Sequence, residues 1–373
     1  MSTIRSPSII LCRLIHTIVQ LNALPSTGFS YSPLIVPLGN GQSVTLARRD
    51  LFDARFQLIA QDVPVEKDGD DTSDAASSIP DLEFLEAPSD LVPGVYEGGL
   101  KTWECSLDLV TCVHNILRTT SLVGTSVLEL GCGTAIPSLY LLHRLFDAPP
   151  SPSTRQIIHL QDYNGLVFRL VTLPNIIITW YMSPASSTFR ASFAESATTP
   201  SESDPDADGD PETLPPVDPS EPGELPMTPQ LISAFKSSLQ EYGIDLSFFA
   251  GSWQTFNLNA LGRDKYDIIL TSETIYRPES LPSLVELMRK VCLGPEDESL
   301  ARLSESKLSL DSSKSGIDPG YTCLVAAKLV YFGVGGGVAE FIRAVEDDGK
   351  GKVEIIWEKK EGVKRSVMRV IWK

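Results

Sequence analysis

The run Leu128-Glu-Leu-Gly-Cys-Gly-Thr134 sets a carboxylate inside an apolar stretch and two glycines just beyond it. Val127, Leu128 and Leu130 read as a buried parallel strand, and Gly131 and Gly133 as the tight turn after it. Ile136, Leu139, Leu141 and Leu142 then form the apolar face of a helix. Such a strand–turn–helix unit opens a doubly wound α/β sheet, whose ligand sits at the carboxyl ends of the strands. A dinucleotide fingerprint would place a third glycine where Ile136 stands, because a pyrophosphate needs close approach to the helix N-terminus. A cationic ligand without phosphate has no such need, and Glu129 adds a negative charge beside it.

Further polar residues fall where later strands end. Asp162 closes Ile157-Ile-His-Leu-Gln-Asp162, the place where an acid takes ribose hydroxyls or caps the next helix. Trp253, just after Leu246-Ser-Phe-Phe-Ala250, offers a stacking surface or an ordinary core side chain. Glu273 and Tyr276 follow the strand Tyr266–Ser272 and stand at its reaction edge. His114, His143 and His159 have no metal-ligand spacing with the cysteines, so no metal site is expected. Cys105 and Cys132 lie near the turn without a paired histidine to activate them and read as small packing residues.

The elements that must hold these residues are only partly legible. A helix from Ser106 carries Leu107, Val110, Val113 and Leu117, and others are expected over Leu166–Leu173, Leu231–Tyr242 and Leu281–Val291. Asn175-Ile-Ile-Ile-Thr-Trp180 fits helix or strand equally. Runs at 322–332, 352–358 and 366–373 complete seven strands, the last two joined as a hairpin through Glu361-Gly362. Gly333–Gly337 reads either as a flexible lip over the substrate or as a plain strand-to-helix turn.

The formal charge of −17 is concentrated in two segments: 62–90 carries ten acids and one lysine, 191–235 ten acids and no base. The rest of the chain is close to neutral, so acidity says little about its substrate. Those segments lead to the expectation of a largely disordered extension over residues 1–90. The remainder, 91–373, would be one domain interrupted by a disordered acidic insertion at about 183–229. Ser8–Val19 is apolar but broken by Arg13 and His16, a weak match to a targeting segment. No apolar run reaches the ~18 residues of a membrane span, and the six scattered cysteines suit a reducing compartment. Lys359, Lys360, Lys364 and Arg365 cluster in the last hairpin as solvated charge, and direct nucleic-acid binding is not expected.

Leu-Glu-Leu-Gly-Cys-Gly resembles motif I of the class I S-adenosylmethionine methyltransferases, whose ligand is a sulfonium. The likeness extends through Glu97-Gly-Gly-Leu-Lys-Thr-Trp-Glu-Cys-Ser106, Gln161-Asp-Tyr-Asn164, Gly251-Ser-Trp253, Thr271-Ser-Glu-Thr-Ile-Tyr276 and Ala326-Ala-Lys followed by Tyr331-Phe-Gly-Val-Gly-Gly-Gly337. In this order they resemble the histidine protein methyltransferases of the eukaryotic seven-β-strand group, in a fungal member, over roughly 90–373. The resemblance implies a Rossmann-like α/β fold, with a seven-stranded sheet and helices on both faces. It also implies S-adenosyl-L-methionine as cofactor and protein-L-histidine N-methylation of a large-subunit ribosomal protein, by a monomer in cytoplasm and nucleus. Carried over by motif, cofactor contacts fall on Trp103, Glu104, Cys105, Ser106, Glu129, Gly131, Gly133, Gln161, Asp162, Tyr163, Asn164, Gly251, Ser252, Trp253 and Ser272. Ser252 stands where relatives usually carry an acid. Glu273 or Tyr276 would hold the target imidazole by accepting its N–H. Two other readings compete. One is a lysine-directed relative, since Ser-Glu-Thr-Ile-Tyr also resembles the signature of that wider group. The other is a cofactor-binding assembly factor for ribosomal proteins that performs no catalysis.

Overall fold

The computed structural model describes residues 12–22, 24, 28–54, 57, 91–92, 96–97, 99–198, 213–258, 263–294, 320–331 and 335–373. The segments 62–90 and 295–319, and Phe332–Val334 of the glycine run, lie outside them. In chain order come β1 (Arg13–His16), β2 (Phe29–Gly39), β3 (Gln42–Arg49), α1 (Glu104–Leu117), β4 (Ser126–Leu130), α2 (Ile136–Asp147) and β5 (Gln156–Asp162). There follow α3 (Leu173–Tyr181), α4 (Ser187–Thr198), β6 (Gly223–Leu225), α5 (Pro229–Glu241), β7 (Ile244–Ala250), β8 (Ile268–Ser272), α6 (Leu281–Leu293), β9 (Thr322–Lys328), α7 (Val338–Glu346), β10 (Gly351–Lys359) and β11 (Arg365–Trp372).

Eight strands form the main sheet in the order β1-β7-β5-β4-β8-β9-β11-β10. The five from β7 to β9 are parallel, and the closing hairpin β10–β11 pairs antiparallel to β9. Every residue of β4 and β5 is buried, as a strand covered on both faces requires. One apolar layer joins Leu109, Leu139, Ile176 and Phe235 to Val127, Ile158 and Phe248; the other joins Leu284, Met288 and Phe341 to Leu128, Leu130 and Ile269. This is a Rossmann-like α/β sheet with helices on both faces, its strand order reversing at β4 so that the carboxyl ends of β4, β5, β7 and β8 open into one crevice.

Three differences from the sequence reading share one cause. The expected seven strands are joined by an eighth, β1, antiparallel to β7 through Arg13↔Ala250 to His16↔Ser247. β2 and β3 form a hairpin inside the supposedly disordered extension, and β6, from within the supposed insertion, pairs with β2 as a third strand. The insertion is also helical over α4 and its 3₁₀ lead Pro184–Ser186, with Phe189, Leu225 and Met227 buried. Composition averaged over 183–229 hid a few apolar residues whose partners come from elsewhere: Leu225 pairs with Phe29 of the hairpin and Phe189 packs on Trp180 of α3. The ambiguous stretch at 175–180 is helical: all nine residues of α3 are buried, so the pattern lacks the alternation of polar and apolar faces that marks a surface helix.

Arg49, at the end of β3, fastens this hairpin to the domain. Its guanidinium donates to Asp53 Oδ2, Gln57 Oε1 and the Leu170 carbonyl, each at 2.8 Å, and lies 4.4 Å over the Phe29 ring. Its backbone N–H donates to Asn175 Oδ1 at 2.8 Å. Arg49→Met would leave these acceptors without their donor, and since Asp53 keeps contact with water the expected cost is about 2 kcal/mol. Urea denaturation checks this: the midpoint falls with an unchanged slope.

Candidate functional site

Position 131 is held to glycine by both conformation and space. Its φ is +61°, and a Cβ there would stand 2.5 Å from Thr274 Cγ2. Gly133, at φ +50°, would bring a Cβ within 3.0 Å of the Gly99 carbonyl. The segment 99–103 thus runs directly over the turn, and Thr102 and Thr134 hydroxyls meet at 3.0 Å. The β4–α2 turn is held from beneath as well. Thr172, in a π-helical turn at Phe168–Thr172, donates to the Gly133 carbonyl at 2.7 Å, and Asn175 Nδ2 to the Thr134 carbonyl at 3.1 Å. Neither residue stood out in the sequence, because each looks like a polar interruption of an apolar helix.

Gln161 bolts three strand ends together. Its Oε1 accepts from Gly131 N–H at 3.2 Å and from Trp253 Nε1 at 2.6 Å, while its Nε2 donates to the Gly251 carbonyl at 2.8 Å. Wholly buried, it orients the turn and the half-buried indole of Trp253 rather than presenting polar atoms to the crevice. Asp162 Oδ2 accepts from Gly133 N–H at 2.9 Å and Oδ1 from Asn164 N–H at 3.1 Å. Asn164 in turn caps the following helix through Leu166 N–H at 2.9 Å, and Tyr163 beside it is half-buried. Ser252 caps the short turn Trp253–Thr255 by accepting from the Gln254 N–H.

Glu129, expected as a ligand contact, has one carboxyl oxygen engaged within the protein. Its Oε2 accepts from the Ser138 N–H at 3.0 Å and from the Ser138 hydroxyl, in the first turn of α2, and the residue is 1% exposed. The carboxyl group therefore satisfies a donor at a helix N-terminus from the strand before it. Burial pushes its pKa up to about 8, against the lowering by Ser138. A carboxyl that holds its proton more tightly folded than unfolded stabilises fully below its unfolded pKa, and that stability is lost as pH rises through the folded value. Glu129→Gln is expected to abolish the decline of up to about 1.4 kcal/mol per pH unit between the unfolded carboxyl range and pH 8. His159, bonded to Tyr266 Oη at 2.6 Å and depressed to about 4 by burial, works the other way. Its contribution is complete above the unfolded value and fades as pH falls through it towards 4, so the acid limb stays in the variant. Melting temperature against pH checks both limbs.

The outer wall is built around Glu273, which follows β8 in the left-handed region at φ +58°. Its N–H donates to the Ala326 carbonyl at 2.9 Å. Tyr331 donates its hydroxyl to Glu273 Oε2 at 2.6 Å, and Lys328 Nζ stands 3.5 Å from Oε1. Lys328, the last residue of β9, also lies 4.3 Å over the Trp103 ring. Burial and Glu273 hold the Tyr331 phenol and the Cys105 thiol far above their ordinary pKa values, so both stay protonated. Trp103 precedes α1 and is partly exposed; Glu104 faces solvent, and buried Ser106 donates to the Trp103 carbonyl at 2.7 Å. Tyr276 packs its ring 6.1 Å from that of Tyr331, and Ser272 ends β8 opposite Ala326. The sequence reading found Glu273 but gave no part to Lys328 or Tyr331; a lysine ending an otherwise apolar strand beside that acid was the available signal.

Asp162 and the rings of Tyr163, Trp253 and Trp103 thus stand near the strand ends, where Lys328 is already paired with Glu273. Such a set fits a nucleoside bearing a sulfonium and does not fit a pyrophosphate. No family model matches the chain. It is 31% identical over 340 residues to Histidine protein methyltransferase 1 of Schizosaccharomyces pombe, spanning 88% of this chain and 78% of that protein. With the Saccharomyces cerevisiae protein of the same name it shares 30% over 308 residues, 81% and 69% of the two chains. The rat homolog matches at 32% over 288 residues, 76% and 59%. Among solved structures, magnesium protoporphyrin IX methyltransferase from Synechocystis with bound SAH gives a TM-score of 0.32 at 10% identity, covering 71% of this chain and 83% of that one. The rRNA methyltransferase aviRa from Streptomyces viridochromogenes gives 0.34 at 13%, covering 73% and 86%. Both likenesses are too slight to add to what the sheet order already establishes. At 31% identity over 88% of this chain and 78% of the Schizosaccharomyces pombe protein, the chain belongs to the histidine protein methyltransferase family, enzymes whose methyl donor is S-adenosylmethionine.

Proposed function

We propose that this chain methylates a histidine of a large-subunit ribosomal protein, as a monomer in cytoplasm or nucleus, without contacting nucleic acid or membrane. The observation that carries the chemistry is Glu273: a fixed carboxylate at the end of β8, one residue from the Thr274 that packs on Gly131. On this reading Asp162 takes the ribose hydroxyls and Trp253 stacks on the adenine. Gly131, Gly133, Tyr163, Asn164, Gly251, Ser252 and Ser272 line the crevice, and the Trp103–Ser106 segment closes it. Cys105, like Gln161 and Glu129, serves by packing and hydrogen bonding within the wall.

S-adenosylmethionine supplies an activated methyl group on a sulfonium. What the protein must add is alignment, because an in-line displacement is governed by positioning. A histidine side chain, with an unperturbed pKa of about 6.5, is mostly neutral at pH 7 and attacks without a strong base. Glu273 accepts the N–H of one ring nitrogen and leaves the other lone pair free. As the ring gains positive charge, the same carboxylate stabilises it. Tyr331, kept protonated, donates to Oε2 and fixes the direction in which that charge points.

The test uses large ribosomal subunits from cells lacking this protein, incubated with it and labelled donor. Amino-acid analysis should find the label as methylhistidine in one protein. Label in methyllysine alone would favour the lysine-directed reading, and donor binding with no label in any ribosomal protein would favour an assembly factor.

A further inference from the structure

Lys328 brings to the outer wall a positive charge that the methylation of a neutral ring does not require. Its ammonium lies 4.3 Å over the indole of Trp103 and 3.5 Å from Glu273 Oε1, and its side chain is only 20% exposed. An aromatic face together with a carboxylate is the arrangement by which proteins hold an alkylammonium ion. Here both halves come from distant parts of the chain, Trp103 ahead of α1 and Glu273 after β8. Lys328 reaches them because β9 runs parallel to β8 in the register Ser272↔Ala326, which sets the end of β9 two residues beyond that of β8. Among the described residues Glu273 Oε1 has no hydrogen bond of good geometry, so Lys328 meets it chiefly through charge, while Oε2 accepts from Tyr331.

We infer that Lys328 is a specificity-determining residue: it fills a site built for an ammonium ion with the protein's own ammonium, and so turns away lysine and other cationic acceptors while admitting a neutral ring. An incoming ammonium has to displace Lys328 or sit beside a like charge on binding, whereas a neutral imidazole meets that charge only as its own develops during transfer, with Glu273 opposite it. The consequence for acceptor choice rests on the protein-histidine reading above; the existence of the cation site does not.

The experiment has two arms, with Lys328→Ala and Lys328→Ser prepared in parallel so that a failure of one to fold leaves the other. In the first, n-butylammonium is titrated into the donor-loaded full chain and followed on the Trp103 indole ¹⁵N–H resonance, assigned with Trp103→Phe. The open variants should bind it at least about tenfold more tightly than the wild type, and Glu273→Gln added to either should remove the gain. Equal response in wild type and both variants overturns the cation site. In the second arm, large ribosomal subunits from cells lacking the protein are methylated and hydrolysed. The methyllysine to methylhistidine ratio should rise at least about tenfold in the open variants. An unchanged ratio overturns the specificity role even where butylammonium binds. A wild type that yields no methylhistidine counts against the protein-histidine reading instead, and the butylammonium arm still decides the site.

Discussion

Asp162→Ala is expected to lower affinity for S-adenosylmethionine by at least about a hundredfold, since a hydrogen bond to a charged group contributes about 1.5–3 kcal/mol and two ribose hydroxyls would lose theirs. A second loss adds to the first. In the protein, the same carboxylate accepts the N–H groups of Gly133 and Asn164 at 2.9 and 3.1 Å. Removing it therefore loosens the β4 turn as well as the sugar contact. Asp162→Asn separates the two effects: it keeps the shape and one acceptor but turns an NH₂ towards one of those donors, and should fall between wild type and alanine. Isothermal titration with the donor measures both. Binding by Asp162→Ala within about threefold of wild type would make the acid a brace for the turn and nothing more.

The site shows where sequence carries position and where it does not. Gly131, Gly133, Asp162, Trp253 and Glu273 were legible because each follows an apolar run, and the end of a parallel strand is where a doubly wound sheet binds its ligand. Gln161 and Glu129 sit in the same runs, yet the structure turns both inward, one to bolt three strand ends and the other to satisfy α2. Burial against a partner distant in sequence separates those cases, and a linear pattern does not contain it. The hairpin β2–β3 was missed for the same reason: its partners, β6 and Asn175, come from segments that by themselves look disordered or purely apolar. Non-local pairing also explains β1, a strand of four residues defined only by β7 beside it.

Glu273→Gln should reduce turnover on the histidine acceptor by about 10²–10³-fold, the range typical for a positioned acid–base or hydrogen-bonding group, with donor affinity within about threefold of wild type. The split follows from where the residue stands. Its backbone, at φ +58°, is tied to the Ala326 carbonyl, and glutamine meets the same conformational strain, so the β8 end keeps its course. What changes is the charge. A neutral amide can keep its carbonyl towards Lys328 and donate its NH₂ to the Tyr331 hydroxyl oxygen, whereas the reverse orientation sets the NH₂ against the ammonium. In either orientation the positive charge arriving on the substrate ring finds no carboxylate. Tyr331→Phe gives a milder version, since Glu273 is retained and loses only the hydroxyl that aims it. Its loss should appear mainly in kcat rather than KM, because an acceptor held loosely still binds but less often with its lone pair in line. Normal turnover by Glu273→Gln would move the ring-holding role to Tyr276, whose carbonyl already anchors Gly336 at 3.1 Å and whose hydroxyl is then the group to remove next.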